Sequence, residues 1–189
     1  MNRSTIGLRV ACLLALGLTA TGPAMAALTD QATADASATV ITPITISKTT
    51  DFSFGSIIPG ATAGTVPLST SGVRGTPTGG TTLGNGPSAA AVFSVSGEGA
   101  STFSVDFSSG VTLSDGAGTP HTMTLDTFVL KVGSGADQTS AYSGALVSGS
   151  AALNVGGTLH VDTATNNPTG AYNTNKSGGT ALTVTVAYN

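Results

Sequence analysis

No stretch after residue 26 of this chain carries a long helical pattern; its apolar residues recur in short runs that alternate with polar ones. The clearest run closes the sequence. From Ala181 to Asn189, Leu182, Val184, Val186 and Tyr188 share one parity, and Thr183, Thr185 and Ala187 fill the other. Successive side chains of a strand point to opposite faces, so this period marks a strand with one buried face. Shorter runs of the same kind precede it. Val66 and Leu68 point inward from Thr65 to Thr70, where Pro67 predicts a sheet edge. Phe93 and Val95 alternate within Ala90 to Ser96, and Phe103, Val105 and Phe107 within Ser101 to Phe107. The turn Gly97 to Ala100 predicts that these last two runs form a hairpin. Val111 and Leu113, Thr122 to Leu125, and Phe128 to Val132 predict further short strands, the last two separated at Asp126-Thr127. Gly156-Gly157 between Ala152 to Val155 and Thr158 to Val161 predicts a second hairpin, and Asn85-Gly86 a third turn. Gly, Pro and Asn cut these runs at regular spacing, so the expected fold is an all-β, immunoglobulin-like β-sandwich.

The first 26 residues read as a signal peptide. Arg3 and Arg9 supply the positive end, Val10 to Leu18 the apolar run, and Ala24-Met25-Ala26 the small-x-small cleavage site. The apolar run is too short to span a bilayer. Export by this signal implies the periplasm and then the cell surface or an extracellular fibre. The expected organisation is 1–26 signal peptide, 27–43 an extended arm, and 44–189 the β-domain. In the arm, Leu28, Ala32, Ala34, Ala36, Ala38 and Val40 share one parity, while Thr29, Gln31, Thr33, Asp35, Ser37 and Thr39 fill the other. Such an arm must bury its apolar side somewhere, and Pro43 separates it from the strand that follows.

The sole cysteine, Cys12, lies within the signal. The expected mature chain is therefore held by packing and sheet hydrogen bonds with no disulfide. It retains Lys48, Arg74, Lys131 and Lys176 against nine acidic residues, a formal net of −5. That sign, with no basic cluster, argues against a nucleic-acid partner.

The residues do not assemble an active site. There is no Gly-x-Ser-x-Gly elbow. His121 lies beside Pro120 in a loop, and His160 between Leu159 and Val161 points outward from a strand; neither has the spacing of a zinc ligand pair. Asp115-Gly116-Ala117-Gly118 and Asp162 with Asn166 and Asn167 read as turns and match no calcium loop. The expectation is no catalytic residue, no metal and no cofactor: not an enzyme. Sugar platforms are also sparse, because there is no tryptophan and only Tyr142 and Tyr172 fall in loops.

The two ends carry a family resemblance. Ala32 to Val40, then Asp51-Phe52-Ser53-Phe54-Gly55, and Leu182 to Asn189 with its penultimate Tyr188 resemble a chaperone–usher pilin of the spore-coat-U-like group. The run Ala38 to Ile46 also resembles an uncharacterised bacterial secreted family known by a domain-of-unknown-function label. The resemblance implies a sandwich that lacks one strand and is completed by the arm of the next subunit, giving a surface fibre. It implies other copies or pilin-like subunits, a periplasmic chaperone and an outer-membrane usher as partners. Leu28, Ala32, Ala34, Ala36, Ala38 and Val40 would then be donor-strand anchors. Leu182, Val184, Val186 and Tyr188 would form the final strand that borders the groove and pairs with the chaperone. The alternative is a monomeric secreted β-sandwich that acts as a binding or adhesin module.

Overall fold

The computed structural model describes residues 29–189. The expected signal peptide, 1–26, and the first two residues of the expected arm, Ala27 and Leu28, lie outside the described residues. The chain divides between Thr39 and Val40. Residues 29–39 carry no helix or strand and are exposed. Residues 40–189 form an all-β body of several antiparallel sheets.

Its strands, in chain order, are β1 (Thr45–Thr50), β2 (Ile57–Ile58), β3 (Gly64–Leu68), β4 (Thr82–Leu83), β5 (Ala91–Ser96) and β6 (Thr102–Phe107). There follow β7 (Val111–Ser114), β8 (Thr122–Val132), β9 (Asp137–Gln138), β10 (Ser143–Ala145), β11 (Ser150–Val161) and β12 (Val184–Tyr188). A seven-stranded sheet runs β1-β5-β11-β8-β7, with β3 also on β11 and β9 on β8. A three-stranded sheet runs β10-β6-β12, and β2 pairs with β4. Two apolar clusters fill the body. Phe93 and Val95 of β5 meet Phe103 and Val105 of β6 with Leu130, Leu153 and Val155 in the first. Val66, Leu68, Val111, Leu125, Leu159 and Val161 lie in the second, with Phe54. Each fully buried Val, Leu or Phe contributes about 1.5–3 kcal/mol, so these alternating runs drive the collapse.

Four local expectations are corrected. β5 and β6 do not form a hairpin: they lie in different sheets. Both edges of β5 are taken, by β1 and by β11, so no ladder position is left for β6. The corner between them bonds elsewhere, with Gly97 N–H donating to Gly149 O (3.0 Å) and Gly149 N–H to Gly99 O (2.7 Å). The phenylalanine pattern that suggested a hairpin reflects two faces meeting across a core.

Gly156-Gly157 is likewise no turn. β11 runs straight through it for twelve residues. Along one edge β11 pairs with β5 up to Val155 and with β3 from Gly157 onward, while β8 follows its other edge. The glycines mark this change of neighbour. A methyl group on Gly156 would collide with the Leu68 carbonyl oxygen and with Ser69 and Thr70 backbone atoms, where β3 ends against β11. Glycine here serves close backbone approach, the other reason a strand keeps one.

β8 is one strand across Asp126-Thr127. Thr127 adopts φ 51° and is the extra residue of a bulge, since Gly156 pairs with Val129 but Thr158 with Asp126. The Asn85-Gly86 turn does not close a hairpin either, because β4 pairs back to β2. Pro67 sits as expected, on a strand whose single ladder partner among the described residues is β11.

Gly156→Ala is expected to destabilise the protein by about 1–3 kcal/mol through forced backbone displacement. Gly118→Ala, which adds a methyl to open space, is the control and should leave stability nearly unchanged. Urea unfolding midpoints of the two variants check this.

Candidate functional site: an apolar groove where the last strand begins

The groove begins with the segment after β1. Phe52 and Phe54 lie on the same side of the chain, with ring centroids 6.3 Å apart. Between them Ser53 exchanges two backbone hydrogen bonds with Ala89, at 2.9 and 2.8 Å, which fixes the segment along the approach to β5. Arg74 sets its far end. The guanidinium donates to Phe54 O (3.0 Å), Ser56 O (3.0 Å) and Gly84 O (3.1 Å), so one planar fork ties the Phe54–Ser56 wall to the β4 loop.

The opposite wall is the polar loop before β12. Asn167 is buried, accepts the Asp162 N–H (2.6 Å) and donates to Thr122 O (3.0 Å). The Tyr172 hydroxyl donates to Pro168 O (3.0 Å), closing the loop on itself. The Lys176 ammonium donates to Asp115 O (3.0 Å) and ties this loop to the end of β7. Between the walls lies a groove of about 920 Å³. Its floor is core: Ala91 and Phe93 of β5, Val111 of β7, Met123 and Leu125 of β8, and Leu159 of β11. Leu182 stands at its rim.

β12 leads away from that rim. Its side chains alternate as the sequence predicts: Leu182, Val184, Val186 and Tyr188 are half-buried and pack on the first core cluster, and Thr183, Thr185 and Ala187 are exposed. Ser108 N–H donates to Thr183 O (2.9 Å) and Asn189 N–H to Thr102 O (3.2 Å). The odd-numbered residues are therefore the hydrogen-bonded pairs with β6. Val184 and Val186 turn their peptide groups the other way. Among the described residues, β12 has β6 as its single ladder neighbour, so those groups face an unpaired edge.

Ala32, Ala34, Ala36 and Ala38 lie in the exposed, irregular N-terminal unit, and Val40 is 96% exposed. Sequence reasoning missed Arg74, Asn167, and the contacts that Thr42 and Glu98 make with Tyr188. Arg74 had a signal: a lone arginine inside a Gly-rich loop is surrounded by carbonyls it can collect. Tyr142, considered as a sugar platform, packs edge-on against Phe107 at 4.7 Å and donates its hydroxyl to Phe128 O (2.7 Å).

The titratable groups near the groove serve its loops. Asp115 accepts from the backbone N–H of Ala117 (3.0 Å) and of His121 (3.0 Å) and pairs with His121 Nδ1 (2.7 Å). The Ala117 N–H first, and then the His121 ring, hold its carboxyl down at about 2. His160 pairs with Asp126 at 2.8 Å across β11 and β8. Burial raises the Asp126 pKa, but the hydrogen bonds from His160 and Thr127 and the His160 charge outweigh it and leave it lowered. Among the described residues no three His, Cys, Asp or Glu side chains gather as a metal site would require.

Because Asp115 ionises in the folded state at about 2, below its ordinary 3.8, its contribution to stability is present above that ordinary value and is lost as the pH falls towards 2. Asp115→Asn is expected to lower the urea midpoint near neutral pH and to flatten its fall over this acid interval. Urea titrations of the two proteins at stepped pH read both effects.

No curated protein and no solved structure matches the chain. One family model does, over residues 44–188, which is most of the sequence and nearly all of the body. The chain belongs to the family described as Domain of unknown function (DUF4402).

Proposed function

We propose that this protein is a secreted structural subunit of a surface fibre and that it polymerises by donor-strand complementation. The body is then an immunoglobulin-like sandwich short of one strand. The observation that carries the reading is the unpaired edge of β12, which leads away from Leu182 at the rim of a groove floored by core residues. An open edge with apolar surface next to it is a hazard unless another strand covers it. A strand added there gains main-chain hydrogen bonds from the peptide groups of Val184 and Val186 and buries its own alternate side chains.

The alternating segment Ala32 to Val40 has the pattern of such a strand and is exposed. Extended, its nine residues span about 30 Å. Its anchors are Leu28, Ala32, Ala34, Ala36, Ala38 and Val40. A buried methyl group contributes about 0.8 kcal/mol and a Val or Leu side chain about 1.5–3 kcal/mol. Binding strength therefore rests on many ladder bonds with Val40 and Leu28 as the largest single contributors. The link is heterologous, groove to arm, so it extends into a filament. A periplasmic chaperone that covers the groove before assembly, and an outer-membrane usher, are the partners this chemistry needs in the pilin-like scheme.

The test is an immunoblot of material sheared from producing cells, run with and without boiling in detergent. The expected result is a ladder that collapses to one mature band on boiling, because the only cysteine lies in the signal sequence and cannot link subunits. Val40→Asp puts a charge where the groove is apolar and should abolish the ladder while export continues. A single monomer band from the wild-type protein under both conditions would instead favour a self-contained binding or adhesin module.

A further inference from the structure

Thr42 has both of its backbone polar groups held. Its N–H donates to Glu98 Oε2 (2.9 Å), and its carbonyl accepts from the Tyr188 hydroxyl (2.7 Å). The same hydroxyl accepts the Glu98 N–H (2.6 Å). Three distant segments thus close one ring of hydrogen bonds: the approach to β1, the corner between β5 and β6, and the end of β12. Gly97 makes room for it, since a methyl group there would collide with the Tyr188 hydroxyl. The Thr42 N–H also holds the Glu98 carboxyl below its ordinary range. Pro43 adds a covalent restraint, because the residue before a proline is confined to extended backbone.

The position of this clasp matters. From Pro43 the chain enters β1 with Thr45 opposite Ser96 and runs to Thr50 opposite Val92. The groove lies towards that far end, lined by Lys48, by Asp51 to Pro59, and by Leu182, the start of the final run. Tyr188 and Thr42 lie at the opposite end of the same two strands, about 20 Å away for a six-residue rise.

We propose that Tyr188, Glu98 and Thr42 form a clasp that fixes where the N-terminal segment leaves the body and so biases strand exchange towards a second copy. This rests on the donor-strand reading above. A segment that filled its own groove would have to reverse direction at residues 41–43 and run back along β1. Thr42 cannot supply that reversal while both its peptide groups are bonded and Pro43 keeps it extended. A segment that enters a neighbour's groove meets no such demand. Tyr188 and Glu98 are positioning residues in this scheme.

The experiment compares wild type, Tyr188→Phe, Glu98→Ala and Glu98→Gln, each as the full chain in producing cells. Two quantities are read: the ratio of boil-sensitive ladder to monomer, and the protease resistance of residues 29–40 in the monomer fraction. Glu98→Ala should lower the ratio about fivefold, the shift that one lost hydrogen bond produces, and Tyr188→Phe, which removes two, should lower it further. Their monomers should carry a protease-resistant N-terminal segment, the sign of a self-filled groove. Glu98→Gln, which keeps an oxygen acceptor, should recover most of the ladder. An unchanged ratio in Glu98→Ala would overturn the proposal, as would a fall in ladder with the segment still digestible, since a merely structural role predicts the latter. Absence of any ladder from wild type would overturn the donor-strand reading itself, and that result is distinct from either.

Discussion

Val184 and Val186 send their side chains into the core and their peptide groups to an edge with no ladder partner among the described residues. A β-sheet balances the cost of desolvating its backbone through inter-strand hydrogen bonds, and a strand with one neighbour leaves half of that balance to water or to another chain. The rest of this body makes that edge conspicuous. The opposite wall of the groove is built from a self-bonded polar loop, and the near wall is held by one arginine on backbone carbonyls. Among the described residues neither wall supplies a ladder partner to β12.

β11 is the framework behind this arrangement. It is the longest strand and changes partner midway, from β5 to β3, without breaking. Gly156 permits the change because the chain leaving β3 passes too close for any side chain. That passage brings the second apolar cluster, with Val66 and Leu68, beside the floor of the groove.

Much of this was legible in the sequence, and what was not has a common cause. The inward parities of β3, β5, β6 and β12 follow from local alternation, because burial on one face imposes period two whatever the neighbours are. Pairing is different. The runs ending at Ser96 and beginning at Ser101 have the local chemistry of a hairpin, yet the edges of β5 were already claimed by strands far away in sequence. Gly156-Gly157 carries the composition of a turn, but its φ values are ordinary and its role is set by Leu68, nearly ninety positions earlier. The groove was visible only through its rim, Leu182, and through family resemblance. Its walls depend on Arg74, Asn167 and Tyr172, whose partners are loop carbonyls and side chains with no periodic pattern. The clasp at Tyr188 was beyond reach for the same reason, since it joins residues 146 positions apart.

The central claim is that the groove accepts a strand with the pattern of the N-terminal segment. A synthetic peptide with the sequence of residues 28–42, titrated into the purified mature protein, tests it most directly. A ligand that binds only the folded state raises stability as its concentration exceeds its dissociation constant, by about 2.7 kcal/mol at a hundredfold excess. Donor-strand binding gives a thermal unfolding midpoint that climbs with peptide concentration, and no change with the same peptide carrying Val40→Asp. A midpoint that stays fixed at every concentration of the wild-type peptide, in protein shown to be monomeric with its own segment digestible, would contradict it.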